Sequence, residues 1–223
     1  MPISHLQKNA APELACTLIR LLDPDQIDIV PSGVTRIPVV VHVVWNTVSQ
    51  NMSDAQIASQ ISVLNRHYRR SHSDLNHAPA PFLPLADDLR IEFFLAEVDP
   101  DGAASTGIER RQTSVTSFCR DDAVKSQASG GAHAWPADRY LNIWVCQLGA
   151  GLLGYAQCPG GPVATDGVVI LHSAFGTIGT AACHMGLTAI DEIGRWLNLD
   201  HLWGSRVCYG NSANGAIAMH EID

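Results

Sequence analysis

Residues 37–45 read I-P-V-V-V-H-V-V-W. Nearly every position is β-branched or aromatic, which favours an extended strand over a helix. The run does not alternate between apolar and polar residues, so its apolar side chains point to both sides. A strand of that kind has to be covered on both faces. The chain must therefore build a sheet in its interior, with other layers packed on either side. Pro38 lacks a backbone N–H and suits the first position of such a strand. At nine residues, interrupted by Pro38 and His42, the run is far short of the ~20 apolar residues that span a bilayer.

The rest of the chain supplies the covering layers. Within residues 51–70, Ser53 and Gln56 form a capping box. Ile57, Ile61, Leu64 and Tyr68 then share one helical face, which predicts a helix of about four to five turns. Arg69 and Arg70 fall at its C-terminal end, where the helix dipole favours positive charge, and read as a solvated face. Strands are expected at 89–98, closed by D-P-D-G, and again at 140–148 and 166–171. The glycine-punctuated stretch 149–162 reads as an edge strand, and 101–139 as mostly irregular with room for short pieces. A second helix begins near Thr188, and A-P-E-L-A-C-T-L-I-R-L-L-D near the N-terminus suits a short helix. Strand, helix, several strands and helix make an α+β or α/β pattern with a mixed sheet.

The chain has 223 residues, enough for one sizeable domain or two small lobes around a cleft. Its net charge of −8 argues against nucleic acid or anionic membrane as the main partner, since both need clustered Lys and Arg. Six cysteines are compatible with disulfides or with buried thiols. None forms a C-x-x-C pair, which argues against a cysteine zinc site. The N-terminus has no basic region followed by an apolar stretch, so no signal peptide is expected.

The most informative stretch is T-A-I-D-E-I-G-R-W-L-N-L-D-H-L-W-G, residues 188–204. It has the rhythm of H-E-x-x-H, in which two histidines at i and i+4 grip one zinc ion. The glutamate between them acts as base on metal-bound water. Here Asp191 and Arg195 hold the histidine positions, Glu192 holds the base position, and His201 stands where a third ligand would follow. Asn198 can make the sharp turn between them, because Asn tolerates the left-handed conformation. An aspartate could still coordinate through oxygen. A guanidinium stays protonated, has no lone pair to give and repels a cation, so Arg195 cannot ligate. Asp191 and Arg195 also suit an i, i+4 ion pair filling the space a metal would leave. His184 and His220 could rebuild a ligand set with Asp191 and His201, but both also read as surface histidines, and His42, His133 and His172 as structural ones.

The same helix resembles the H-E-I-G-H-W-L-N-L-x-H-x-W-G helix of bacterial pappalysins, the metzincins similar to pregnancy-associated plasma protein-A. The likeness extends upstream through I-P-V-V-V-H-V-V-W-N-T, S-D-A-Q-I, A-W-P-A-D-R-Y-L-N-I-W-V-C-Q-L, G-L-L-G-Y-A-Q-C-P-G-G and T-D-G-V-V-I in order, covering roughly residues 37–204. The resemblance implies an α+β metzincin domain: a twisted mixed sheet, a backing helix, an active-site helix and a cleft with peptide along an edge strand. It implies zinc, in some members calcium, a peptide or protein substrate and export from the cell. Glu192 is then the base, and Gly151, Leu152, Leu153, Gly154 and Tyr155 meet the substrate backbone. Calcium could be held by the acids at 87–88 or 99–101, which also read as solvated turns.

On this reading residues 1–36 are an N-terminal extension, a possible propeptide remnant in which Cys16 could be a vestigial latency cysteine. Residues 37–204 form the catalytic-type domain, and 205–223 are a short tail in place of the family's C-terminal lobe, with Met219 unassigned. Two functional classes follow. One is a zinc endopeptidase by ancestry with impaired or lost activity. The other is a non-catalytic, peptide-binding pseudo-protease. An adhesive or carbohydrate-binding module has only aromatic content in its favour. Trp45, Trp144, Trp196 and Trp203 are expected to pack the sheet against the two helices, with Trp135 in a loop.

Overall fold

The computed structural model describes residues 33–72, 80–81, 83–179 and 185–199. Its centre is β1 (Thr35–Trp45), the strand expected from the apolar run, starting two residues earlier. One edge of β1 is shared end to end by two partners, both parallel. β2 (Ile91–Leu95) pairs with residues 35–39, and β3 (Ile108–Gln112) with residues 41–45. The other edge takes β4 (Leu141–Cys146), also parallel, from Val39 onward. β6 (Val168–Leu171) follows, and β5 (Gly154–Ala156) closes that side antiparallel to β6. The order β2-β1-β4-β6-β5 is the mixed sheet expected, with β5 at the edge.

β3 is one of the short pieces that the mostly irregular stretch 101–139 leaves room for, but its sequence does not announce a strand. Its residues I-E-R-R-Q carry no apolar pattern, and four of the five are polar. They are ordered by side-chain bonds instead. Glu109 accepts from His42 Nδ1 at 2.7 Å and Trp135 Nε1 at 3.0 Å, while Arg110 reaches the Met52 carbonyl at 2.7 Å and also pairs with Asp54. Pro38 is not the first residue of β1. Val41 N donates to the Gly107 carbonyl on the β3 side, so even-numbered residues turn toward β4. The donor Pro38 lacks falls just before pairing with β4 begins.

Two layers cover the sheet. On one face Val39, Val41, Val43, Ile143, Val145, Val168 and Ile170 meet the two helices, α1 (Asp54–Tyr68) and α2 (Leu187–Trp196). On the other face the loop chain of residues 115–135 packs on Val44, Trp144, Cys146, Tyr155 and Val169. Trp144 is therefore buried under loops rather than helices, with its indole N–H on the Ala132 carbonyl at 2.8 Å. Trp135 is also buried, beside Val40 and Tyr140. Trp203 lies outside the described residues.

The helix α1 starts as expected at Ser53, whose Oγ accepts from Gln56 N at 3.2 Å. The reciprocal half of the capping box is replaced. The Gln56 side chain donates to the Phe175 carbonyl at 2.9 Å, far along the chain. Arg69, expected to be solvated, closes the C-terminal end on Asp88 at 3.1 Å and on Glu92. That engages Asp88. Asp99 accepts from the backbone N–H of Asp101 and Ala103, so both acidic stretches are turn or ion-pair features. Cys119 and Cys146 are free thiols, and Cys158 is disulfide-bonded. Among the described residues no helix is long and apolar enough to cross a membrane. The N-terminal helix expectation and the tail fall outside the described residues.

Candidate active-site cleft

The cleft is built by α2, β5 and the chain that leads into α2. Ala189, Ile193 and Trp196 recur at i, i+4 and i+7 and are buried against the sheet, which fixes how the helix is rotated. Glu192 stands on the same buried side. The approach to the helix is held by α1. Gln60, fully buried, accepts from Gly176 N at 2.7 Å and donates to the Gly186 carbonyl at 3.0 Å. Gly186 caps α2 with a positive φ of 74°, and a Cβ there would meet Gln60 Oε1 at 2.9 Å. Tyr68 Oη donates to the Ile190 carbonyl at 3.2 Å. At the other end Trp196 Nε1 donates to Asp166 Oδ1 at 3.0 Å, tying the helix to the start of β6.

The turn after α2 is the one expected of Asn198. Its φ is +70°, Asn198 N bonds the Arg195 carbonyl at 2.9 Å, and Leu199 N bonds the Gly194 carbonyl at 2.9 Å. This is a Schellman close with Asn in the left-handed position. His201, beyond it, lies outside the described residues, as do His184, His220 and Met219.

Glu192 is 6% exposed, and its Oε2 has no hydrogen-bond partner. Arg195 Nη1 lies 3.9 Å from that oxygen, an ion pair too long to be a hydrogen bond. The pair formed by Arg195 among the described residues is thus with Glu192, where the sequence reading paired it with Asp191. Burial lifts the Glu192 carboxyl to about 7, opposed by Arg195, reinforced by Asp191 and opposed again by Arg120. A carboxyl held near neutrality can exchange a proton at working pH, which is what a general base needs.

The edge-strand residues separate into two groups. Gly154 and Tyr155 lie in β5, while Gly151 sits in a preceding turn at φ +73°. Leu153 accepts from Leu171 N at 2.8 Å, extending the ladder by one residue, and Leu152 is buried in the loop-side core. A Cβ at Gly154 would come 3.1 Å from Glu192 Cγ, so this glycine lets the glutamate stem lie against the strand. Tyr155 points to the opposite face, where the buried Lys125 amine stands 5.2 Å from its ring centroid. Lys125 also bonds the Thr165 carbonyl at 2.7 Å and Asp122 at 2.8 Å, clamping the loops behind β5. Lys125 and Gln60 carry no pattern that distinguishes them from surface residues, and Gln56 reads in sequence only as half of a capping box.

A zinc ion fits the described part of this site poorly. Asp191 offers oxygen, and Arg195 has no lone pair to give a metal. Among the described residues no three His, Cys, Asp or Glu side chains come together as a metal-holding group. His42 is a structural histidine, fully buried with Nε2 on Asn142 Oδ1 at 3.0 Å and Nδ1 on Glu109. His172 Nε2 lies 3.0 Å from Gln147 Oε1.

No family model matches the sequence, and no curated protein does. Solved structures do. Mirolysin in complex with compound 9 is 49% identical over 78% of this chain and 66% of its own, with a TM-score of 0.74. Mature mirolysin from Tannerella forsythia in complex with a cleaved peptide is 49% identical over 78% of this chain and 67% of its own, with a TM-score of 0.75. A promirolysin mutant from the same organism is 44% identical over 89% and 68%, again at 0.75. The chain spans about two thirds of the length of these relatives. Identity at this level, carried on the same mixed sheet and cleft helix, places the chain in the pappalysin family of metzincin peptidases.

Proposed function

We infer that this chain is, by ancestry, a pappalysin-type metalloendopeptidase whose hydrolytic activity is impaired or lost, and which retains the cleft as a binding site for extended peptides. The observation that carries this reading is Arg195. It stands at the second ligand position and turns its guanidinium on Glu192, 3.9 Å away. Zinc is the family's metal. When bound in this class of site it makes a nucleophile of water at neutral pH. Arg195 supplies no ligand for it, so Asp191 and His201 would be left as two protein donors. Glu192 alone is a poor peptidase, because its water would keep an ordinary pKa.

The peptide would add to the open edge of β5, with main-chain bonds along Leu153 to Ala156 and Gly154 lying over Glu192. One similar structure, that of mature mirolysin, was solved with a cleaved peptide. The ancestry also makes export from the cell the expected destination. A second reading, retained hydrolysis, is favoured by Glu192 itself, which keeps its position, its burial and a carboxyl tuned to about 7.

One experiment separates the two. The unmodified chain and the double variant Asp191→His, Arg195→His are compared for zinc content and casein cleavage, with and without chelator. The inference expects less than stoichiometric zinc and no chelator-sensitive cleavage in the unmodified chain, and tighter zinc in the double variant. Chelator-sensitive cleavage by the unmodified chain would refute it.

A further inference from the structure

A metal in a cleft of this kind does two electrostatic jobs: it balances the buried carboxylate beside it, and it draws a carbonyl oxygen of the peptide. We propose that Arg195 has taken over both jobs in this chain, giving Glu192 its countercharge from one side and offering its remaining N–H donors to a carbonyl of a peptide lying along β5. The binding half rests on the peptide reading above; the countercharge half does not.

Three observations carry it. Glu192 Oε2 is buried without a hydrogen-bond partner, and Arg195 Nη1 is within ion-pair reach at 3.9 Å. The Arg195 side chain is 20% exposed against 8% for Glu192, so the cation is the half of the pair that looks outward. Among the described residues its guanidinium has no hydrogen-bond partner, and its N–H groups form a fixed fork of donors. The strand edge is close by. Gly154 Cα carries no side chain where a Cβ would approach Glu192 Cγ to 3.1 Å, so the Glu192 stem lies against the edge strand, and Arg195 is one ion-pair distance further on.

An extended peptide bonds its neighbouring strand with alternate residues and turns the N–H and C=O of the others away. A donor beside the strand can meet one of those carbonyls. A guanidinium does this by charge and hydrogen bonding, as preorganised donors do in other enzymes, but it cannot make hydroxide from water. The cleft would then hold peptide without consuming it, and would do so without metal.

The test uses the full chain and a pool of fluorescein-labelled decapeptides of randomised sequence, read by anisotropy in EDTA and in added zinc. Arg195→Met, Arg195→Lys and Arg195→Met/Glu192→Gln are compared, with the melting temperature measured for each. The expected result is equal binding in EDTA and zinc, about tenfold or greater weakening in Arg195→Met, and partial recovery in Arg195→Lys. Arg195→Met should also melt lower than the unmodified chain, and adding Glu192→Gln should restore the loss. Binding by Arg195→Met equal to the unmodified chain, or binding abolished by EDTA, overturns the carbonyl anchor. No peptide binding by the unmodified chain overturns both the anchor and the peptide reading. A melting temperature unmoved by Arg195→Met, or not restored by the second change, overturns the countercharge whatever the peptides do.

Discussion

Two glutamates stand toward opposite ends of one sheet and are treated in opposite ways. Glu109, on β3, accepts from His42 Nδ1 and Trp135 Nε1, and the bond from His42 holds its carboxyl below the usual range even though half-burial pulls the other way. The chain of bonds continues through His42 Nε2 to Asn142 Oδ1, and Asn142 in turn bonds both the N–H and the C=O of Trp135, at 2.7 and 2.9 Å. Glu192, on α2, has burial without satisfaction, and its carboxyl is pushed up. A completed network adds stability and fixes one geometry. An incomplete one costs stability and persists where a ligand or a reaction can use it. The difference separates scaffold from site without reference to any relative.

The largest way to break that contrast is on the scaffold side. Asn142→Leu leaves Trp135 N, Trp135 O and His42 Nε2 without partners in the interior. It should cost about 3–5 kcal/mol in urea unfolding, since each orphaned group costs about 1–3 kcal/mol. Binding of peptide at the cleft by the fraction that stays folded should be unchanged.

Gln60→Leu attacks the support beneath the site. It strips Gly176 N and the Gly186 carbonyl of their bonds and should cost about 2–4 kcal/mol. Hydrogen exchange should rise first in 187–196 and leave β1 protected, because Gln60 holds the entry to α2. Equal loosening of both regions would show that the two ends of the sheet are one unit.

Glu192→Gln sharpens the contrast through pH. A carboxyl raised in the folded state carries no penalty below its ordinary value of 4.5 and a growing one as pH rises toward about 7. The unmodified chain should therefore lose stability across that window, and the variant should not, being more stable above it by about 1–3 kcal/mol. Glu109 has the reverse sign. Its stabilisation is present at neutral pH and is lost as pH falls through its lowered folded value, so Glu109→Gln should flatten the acid limb of the profile instead.

The smallest effect lies outside both regions. Ser53→Ala removes the cap of α1 and should cost about 1 kcal/mol in thermal unfolding, with no change in either pH limb.

Much of this was legible in the residues. A run such as 37–45 admits few structures, and the period of α1 and the left-handed turn at Asn198 follow from local chemistry. So did the edge position of β5, though only 154–156 of the stretch is strand. What escaped was long-range. β3 is polar because it is ordered by Asn51, Met52 and Asp54 on one side and His42 and Trp135 on the other, partners that its own sequence does not announce. Gln56 looked like half of a capping box because its role is played 119 residues away, at Phe175. Arg195 was read as the partner of Asp191 on helical spacing alone. The same spacing also allows the i, i+3 pair with Glu192, and that is the one the structure shows.

The shared edge of β1 bears on how the molecule comes to be made. Its parallel neighbours are recruited from residues 91–95, 108–112 and 141–146, so none of its ladders can close until a long stretch of chain has been synthesised. Closing such loops costs entropy before any pairing repays it, and topologies of this kind fold slowly. A nascent chain that has not yet delivered β2 carries nine consecutive, almost wholly apolar residues with no mate, one edge stays open until β4 arrives, and chaperone demand should be highest over that span of translation.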